Sequence, residues 1–254
     1  MNAPGLSLYA AENLPLVAAG DDLVALIATA FEGQQLALEN GDIVVIAQKI
    51  ISKAEGRGVR LSSIAPSPQA EALAAATEKD PRVVELILQE SDEIVRSRPG
   101  VIIAAHKSGI VLANAGIDRS NVDSDPDWVL LLPENADRSA GAIRDGLQQH
   151  FGVRLGVVIA DSVGRAWRMG TTGMALGSAG VEALENLRGN QDMFGRELQV
   201  SEHALADSVA SAAELLLGEG QEGTPVVVLR GLSSGTSKQD CSSLIRPKAD
   251  DMFR

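Results

Sequence analysis

The chain alternates short apolar runs with amphipathic stretches from end to end. Residues 6–10 and 42–47 have the apolar pattern of strands. Between them residues 22–31 repeat apolar positions at helical spacing, with Asp21 or Asp22 placed to cap. Two helices are predicted over 68–80 and 81–91, and Pro81 marks the restart because its ring suits a first helical position. β-Branched runs at 101–106 and 109–116 flank Lys107-Ser108-Gly109, a hairpin connection. A short strand at 128–133, a helix at 139–151 and an apolar run at 154–161 come next. Residues 164–195 hold seven glycines and little periodicity. Beyond them the pattern gives a strand at 196–200, a helix at 202–218 and a strand at 225–232. The runs 154–160 and 225–230 are apolar almost throughout, so both of their faces are expected to be buried. This order is not a clean βαβ alternation. It predicts a mixed α+β class in one domain over 1–254, with a polar tail, 233–254, that packs loosely.

Composition narrows the function. The chain has 254 residues and a net charge of −12, and no basic stretch is dense enough to track a phosphate backbone. Aromatics make up only 3%, leaving few rings on which bases could stack, so nucleic acid is excluded as a partner. The single cysteine, Cys241, has no internal disulfide partner, and three scattered histidines leave no structural zinc site. The N-terminus lacks a signal-peptide pattern and no apolar run approaches the ~20 residues that cross a bilayer, so a cytoplasmic protein without a membrane partner is expected.

Two motif matches fail on context. GEGQEG (218–223) satisfies G-x-G-x-x-G, but a helix precedes it and a strand follows, the reverse of the dinucleotide-binding order. GLSSG (231–235) satisfies G-x-S-x-G, yet no histidine follows His203 to complete a hydrolase triad.

Carboxylates at the ends of apolar runs survive this screen. Asp118 follows IVLANAGI and Asp161 follows GVVIA, where binding clefts commonly open, and together they suit hard divalent cations. Each is also explained as a turn or capping residue. Ser120, Asn121 and Ser162 give them polar company. Lys53 and Arg57 offer positive charge for an anionic ligand such as a triphosphate, or are solvated surface. Arg165 and Arg168 flank Trp167, read as a packing residue, and His106 is read as satisfying a core hydrogen bond. Residue chemistry alone gives an enzyme that binds an anionic ligand through divalent metal.

At these residues the sequence resembles the coenzyme F420-0 γ-glutamyl ligases. The resemblance is carried by ENLPLV (12–17), GDIVVIAQKIISKAEGR (41–57), ILQES (87–91) and NAGIDRSNV (114–122). It continues through VVIADSVGRAWRMGTTGMALGSAG (157–180), DMFGREL (192–198) and LGEGQEGTPVVVLRGL (217–232). It implies a family-specific α+β fold, an intimate homodimer, and a GTP-dependent ligase. That ligase adds L-glutamate, and then further γ-linked glutamates, to the carboxylate of a deazaflavin phospholactate through an acyl phosphate. It implies Mg²⁺ or Mn²⁺, two ions, with K⁺ assisting. By resemblance Asp118, Asp161, Ser162 and Glu219 are metal ligands, and Lys53 holds phosphate. Leu14, Pro15, Leu16, Val17, Gln48, Lys49 and Asn121 line the nucleotide site. Leu217, Gly218, Glu219, Gly220, Gln221, Glu222, Gly223 and Thr224 wrap the nucleotide, glycine admitting close backbone approach. The Gln48-Lys49 pair departs from the small hydroxyl residues of archaeal forms. The ending LIRPKADDMFR resembles the junction to a nitroreductase-like domain in some bacterial relatives, which leaves a further C-terminal domain open. A metal-dependent nucleotide phosphohydrolase and a non-catalytic GTP-binding regulatory protein are the competing readings.

Overall fold

A computed structural model describes residues 5–232 and 234–253. In chain order its elements begin with β1 (Ser7–Ala10), α1 (Leu23–Gly33), β2 (Ile43–Ala47) and α2 (Gln48–Ala54). Then come β3 (Gly58–Arg60), α3 (Pro68–Thr77), α4 (Pro81–Gln89), β4 (Ser91–Arg98), β5 (Val101–His106), β6 (Val111–Ala113) and β7 (Trp128–Leu130). The last third holds α5 (Ala136–Phe151), β8 (Gly156–Gly164), β9 (Thr171–Ala179), β10 (Leu184–Asn186), β11 (Glu202–Ala204), α6 (Leu205–Leu217) and β12 (Val226–Arg230). The class is mixed α+β, as the pattern predicts.

The helix starts follow local chemistry. Asp22 accepts from the Ala25 N–H to cap α1, Ser67 and Asp80 cap α3 and α4 ahead of prolines, and Asn135 caps α5. The main sheet has the order β1-β12-β2-β8-β9, in which β2 and β8 are parallel and every other pair is antiparallel. Strict alternation divides its side chains. Val44, Ile46, Val157, Ile159, Val226 and Val228 join Ile27, Phe31 and Leu147 of α1 and α5 in one core. Ile43, Val45, Val158, Ala160, Val227 and Leu229 join Val209, Ala210 and Ala213 of α6 in another. Burying such a side chain stabilises by roughly 1.5–3 kcal/mol, so the all-apolar runs fix the sheet between helix layers. Both faces of β8 and β12 are buried, as expected.

A third core lies outside this sandwich, in the long connection from β2 to β8. There α3 and α4 pack with Ile102, Ala104 and Val129 beside the β4-β5-β6 sheet and the β3-β7 pair.

The structure corrects several elements. Residues 196–200 form no strand; an isolated bridge joins Gln191 to Glu197, and the strand there is β11. The glycine-rich stretch is partly regular: β9 is an edge strand of the main sheet, and β10 pairs with β11. Its glycines are packing devices. A Cβ at Gly173 would lie 2.4 Å from the Ala210 carbonyl oxygen, and one at Gly177 would lie 2.3 Å from the Ala136 carbonyl carbon, so α6 and α5 rest directly on strand backbone. The second half of the 81–91 pattern ends at Gln89, and β4 begins at Ser91. The tail does not pack loosely: Cys241 is 4% exposed, its N–H donates to Asp137, and Ile245 joins an apolar cluster with Ile110 and Leu176. Trp167 is no packing residue of the core, being 86% exposed.

Candidate active site

Sheet register builds the site. Ala47 pairs with Ala160 across the parallel β2 and β8, so Gln48 and Asp161 stand side by side where that pairing ends. Open sheets bind ligands at the carboxyl ends of parallel strands, and this is such an end. The antiparallel β12 starts opposite Ile46, which brings the preceding 218–225 loop to the same end. Antiparallel β9 sets Met174 against Asp161 and Gly173 against Ser162.

Gln48 is 1% exposed; its Oε1 accepts from the Ser52 hydroxyl, and its side chain also hydrogen-bonds Asp161. Desolvation pushes the Asp161 carboxyl up to about 6; the charge of Lys49 opposes the shift and that of Asp118 adds to it. Asp118 arrives from the other core. It exchanges N–H···O bonds of 2.9 Å with Leu130, which pins its backbone to β7. Its Oδ1 accepts from the Ser120 N–H at 2.7 Å and the Ser120 hydroxyl at 2.8 Å, while Lys49 Nζ lies 2.8 Å from Oδ2. Burial opposes ionisation of Asp118, but Lys49 and Ser120 outweigh it and hold its carboxyl below the ordinary carboxylate range.

The glycine loop closes the other side. Glu219 accepts from Thr171 Oγ1 at 2.6 Å and from the Ser162 hydroxyl at 3.1 Å. Desolvation resists its ionisation, yet donors from Thr171, Glu214 and Ser162 hold its pKa low. Burial and the neighbouring Glu219 push Glu214 up to about 7, and Glu214 Oε1 is a buried oxygen without a hydrogen-bond partner. Lys53 donates to the Asn121 carbonyl at 2.9 Å, and Asn121 Nδ2 donates to the Gly220 carbonyl at 3.1 Å. This relay ties α2, the NAGID segment and the glycine loop together. Desolvation lowers the Lys53 pKa; Asp123 opposes the shift and Lys49 adds to it. Within the loop, Glu222 accepts from the Gly220 N–H and Thr224 donates to the Leu216 carbonyl.

The structure thus brings together Gln48, Lys49, Lys53, Asp118, Asn121, Asp161, Ser162, Glu219 and Gly220. Leu217 and Gly218 line a cavity of about 60 Å³ with Gln48, Lys49, Asp161 and Glu214. The 14–17 segment divides: Val17 is buried and Leu14 packs on the first core, whereas Leu16 is 95% exposed. Arg57 lies apart from this site. It pairs with Glu90 at 2.5 Å and donates to the Leu132 carbonyl at 2.9 Å. His106 accepts from the Ser108 N–H, the core role expected of it. Arg57, Glu90 and His106 border a larger cavity of about 520 Å³ that Asp118, Asp161 and Glu219 do not line. Sequence reasoning missed Glu214 and Thr171. The one signal for Glu214 is a lone carboxylate inside the apolar helix run AAELLL.

Hard oxygen donors and a small polar cavity fit a divalent cation by chemistry. Among the described residues, however, no three acidic, histidine or cysteine side chains converge closely enough to hold a metal ion. No helix among them is long and apolar enough to cross a membrane.

The sequence profile of the family described as F420-0:Gamma-glutamyl ligase matches residues 12–231. The chain is similar to a protein of Methanopyrus kandleri called coenzyme F420:L-glutamate ligase, with 45% identity covering 98% of this chain and 99% of that one. Proteins of the same name from Methanothermobacter thermautotrophicus and Methanocaldococcus jannaschii are 43% and 45% identical, covering 98% and 87% of this chain and 99% and 87% of theirs. With the profile running from the segment before α1 to just past the end of β12, every strand of the main sheet except β1 lies inside the match, and the chain belongs to the F420-0:gamma-glutamyl ligase family.

Proposed function

We propose that this chain is a ligase that joins L-glutamate to the carboxylate of coenzyme F420-0, a deazaflavin phospholactate, with GTP as the second substrate. The observation that carries the reading is the meeting of Asp161, Ser162, Glu219 and Asp118 with Lys49, Lys53 and the glycine loop at one sheet end. In the reaction the acceptor carboxylate oxygen attacks the γ-phosphorus, and the bond to the β,γ-bridging oxygen breaks to release GDP. The glutamate amine then attacks the acyl carbon of the resulting acyl phosphate, loses a proton, and phosphate departs. Further γ-linked glutamates follow by the same steps.

Lys53 supplies positive charge to the phosphates, and the backbone of 218–223 offers N–H groups to them. Asp118, Asp161, Ser162 and Glu219 would hold Mg²⁺ or Mn²⁺. A divalent cation there would neutralise charge on the transferring phosphoryl group. The reading includes a homodimer, for which the exposed Trp167, Met169, Met193 and Phe194 supply apolar surface to a second copy.

The test is mass spectrometry of purified protein with GTP, Mn²⁺ or Mg²⁺, L-glutamate and the deazaflavin phospholactate. A product one glutamyl residue heavier, formed with GDP, is expected. GDP released with no change in acceptor mass would overturn the ligase reading in favour of hydrolysis.

A further inference from the structure

We propose that the cavity of about 520 Å³ bordered by Arg57 and His106 is a second binding site, and that it takes an acidic α-amino acid. It shares no lining residue with the cavity beside Asp161, so the inference goes beyond the ligase reading and stands apart from it.

The argument starts from a buried donor. His106 lines the cavity and is 6% exposed. Its Nδ1 accepts from the Ser108 N–H at 3.0 Å and lies 2.9 Å from the Ser108 hydroxyl, so Nε2 carries the ring hydrogen of the neutral imidazole. That Nε2 is buried with no hydrogen-bond partner among the described residues, and Glu90 Oε2 stands 3.8 Å away, too far for one. A buried donor left unmade costs about 1–3 kcal/mol, and an oxygen acceptor recovers it. Arg57 and Lys107 belong to the same wall. Arg57 is paired with Glu90 at 2.5 Å, whereas Lys107 is exposed and forms no ion pair among the described residues. A carboxylate seated here supplies both the acceptor that His106 lacks and the counter-charge that Lys107 lacks.

Another part of the wall is acidic, with Asp137 from α5 and Asp240 from the tail. Asp137 accepts from the Ser178 and Cys241 N–H groups on Oδ1 alone, and Asp240 accepts from the N–H and hydroxyl of Ser242 on Oδ1 alone. Burial pushes the Asp137 carboxyl up, and the charge of Asp240 adds to the shift. An ammonium group relieves two carboxylates that repel one another in this way. The start of α5 is in the wall as well, and N–H groups at a helix start suit a second carboxylate. Ile110, Leu132, Leu176 and Ile245 give the cavity an apolar lining for a carbon stem. Carboxylates, an ammonium and a short stem are together the groups of an acidic amino acid, and the volume lies in the range of small-molecule sites.

The experiment titrates the full chain, without nucleotide, with L-glutamate and with glutarate, the same dicarboxylate without its ammonium. The chain has only three histidines, so NMR of isotope-labelled histidine locates the ligand, the His106 signal being assigned from its absence in His106→Gln. L-Glutamate is expected to shift the His106 signal saturably and to leave His150 and His203 in place. In calorimetry glutarate is expected to bind about tenfold more weakly than L-glutamate, and His106→Gln and Lys107→Met are each expected to weaken L-glutamate by about tenfold. Lys107 is exposed, so its variant keeps the test readable if His106→Gln fails to fold. A His106 signal unmoved by L-glutamate, or all three signals moving together, would overturn the inference. So would equal affinity for glutarate, or unchanged binding by Lys107→Met. None of these outcomes touches the ligase reading, which the mass of the reaction product decides.

Discussion

Asp161 concentrates the chemistry of the site because it is the polar residue that a fully apolar strand delivers to the sheet end. The five residues before it in β8 are buried, and desolvation pushes its carboxyl up to about 6. Such a group gains most from a bound cation, since ion and carboxylate each supply the charge the other lacks. Asp161→Ala is therefore expected to lower kcat about 10²–10³-fold or more while leaving the unfolding midpoint near wild type; near-normal turnover would remove Asp161 from the machinery. Lys53 acts on binding. Its ammonium is desolvated and held by a carbonyl, so an arriving phosphate exchanges a neutral acceptor for an anionic one. Lys53→Ala should weaken GDP binding in calorimetry by about 1.4–2.8 kcal/mol, roughly ten- to a hundredfold, and an unchanged affinity would count against the assignment.

Elements show why some of this was legible in the chain and some was not. The β2, β8 and β12 runs declare themselves by composition, and Asp161 is visible as the carboxylate where one of them stops. Its partner across the site, Glu219, needed the family resemblance, because nothing local tells a loop glutamate from a solvated one. Glu214 hides in a helix. The β9 strand hides for a different reason: its contacts are made by absent side chains. Periodicity registers apolar groups, whereas Gly173 and Gly177 matter because α6 and α5 touch the strand backbone. Conversely, RELQV alternates like a strand, but its backbone bonds to 189–192 close only one isolated bridge, Gln191 to Glu197, and it stays irregular. The glycine argument is testable without assaying function. Gly173→Ala places a methyl against backbone that cannot rotate away, so urea unfolding should report a loss of about 1–3 kcal/mol. Gly164→Ala on the adjacent strand, where a Cβ meets open space, should change stability far less.

At the scale of the molecule the site lies where the main-sheet sandwich meets the third core, and α2 with its following turn is the strut between the two. Lys49, Lys53 and Arg57 recur at four-residue spacing, and each reaches across: to Asp118, to the Asn121 carbonyl, and to Glu90 and the Leu132 carbonyl. The first two contacts belong to the site. The third borders the larger cavity and has a mechanical consequence. Glu90 is held below the ordinary carboxylate range by His106 and, at 2.5 Å, by Arg57, against the opposing effect of burial. Because its folded pKa is depressed, the stability it contributes is fully present above the unfolded value of about 4.5 and is lost as pH falls through the lower folded value. Glu90→Gln leaves the Arg57 guanidinium short of its counter-charge in a partly buried setting. The expected loss at pH 7 is about 2 kcal/mol, less than for a fully buried pair because both side chains keep some contact with water. That loss should shrink as the pH is taken below 4, where the wild-type carboxylate is itself being protonated, so the two denaturation curves converge in acid. Curves that stayed parallel from pH 7 to pH 3 would show that the Arg57–Glu90 contact does not join the sandwich to the third core through charge.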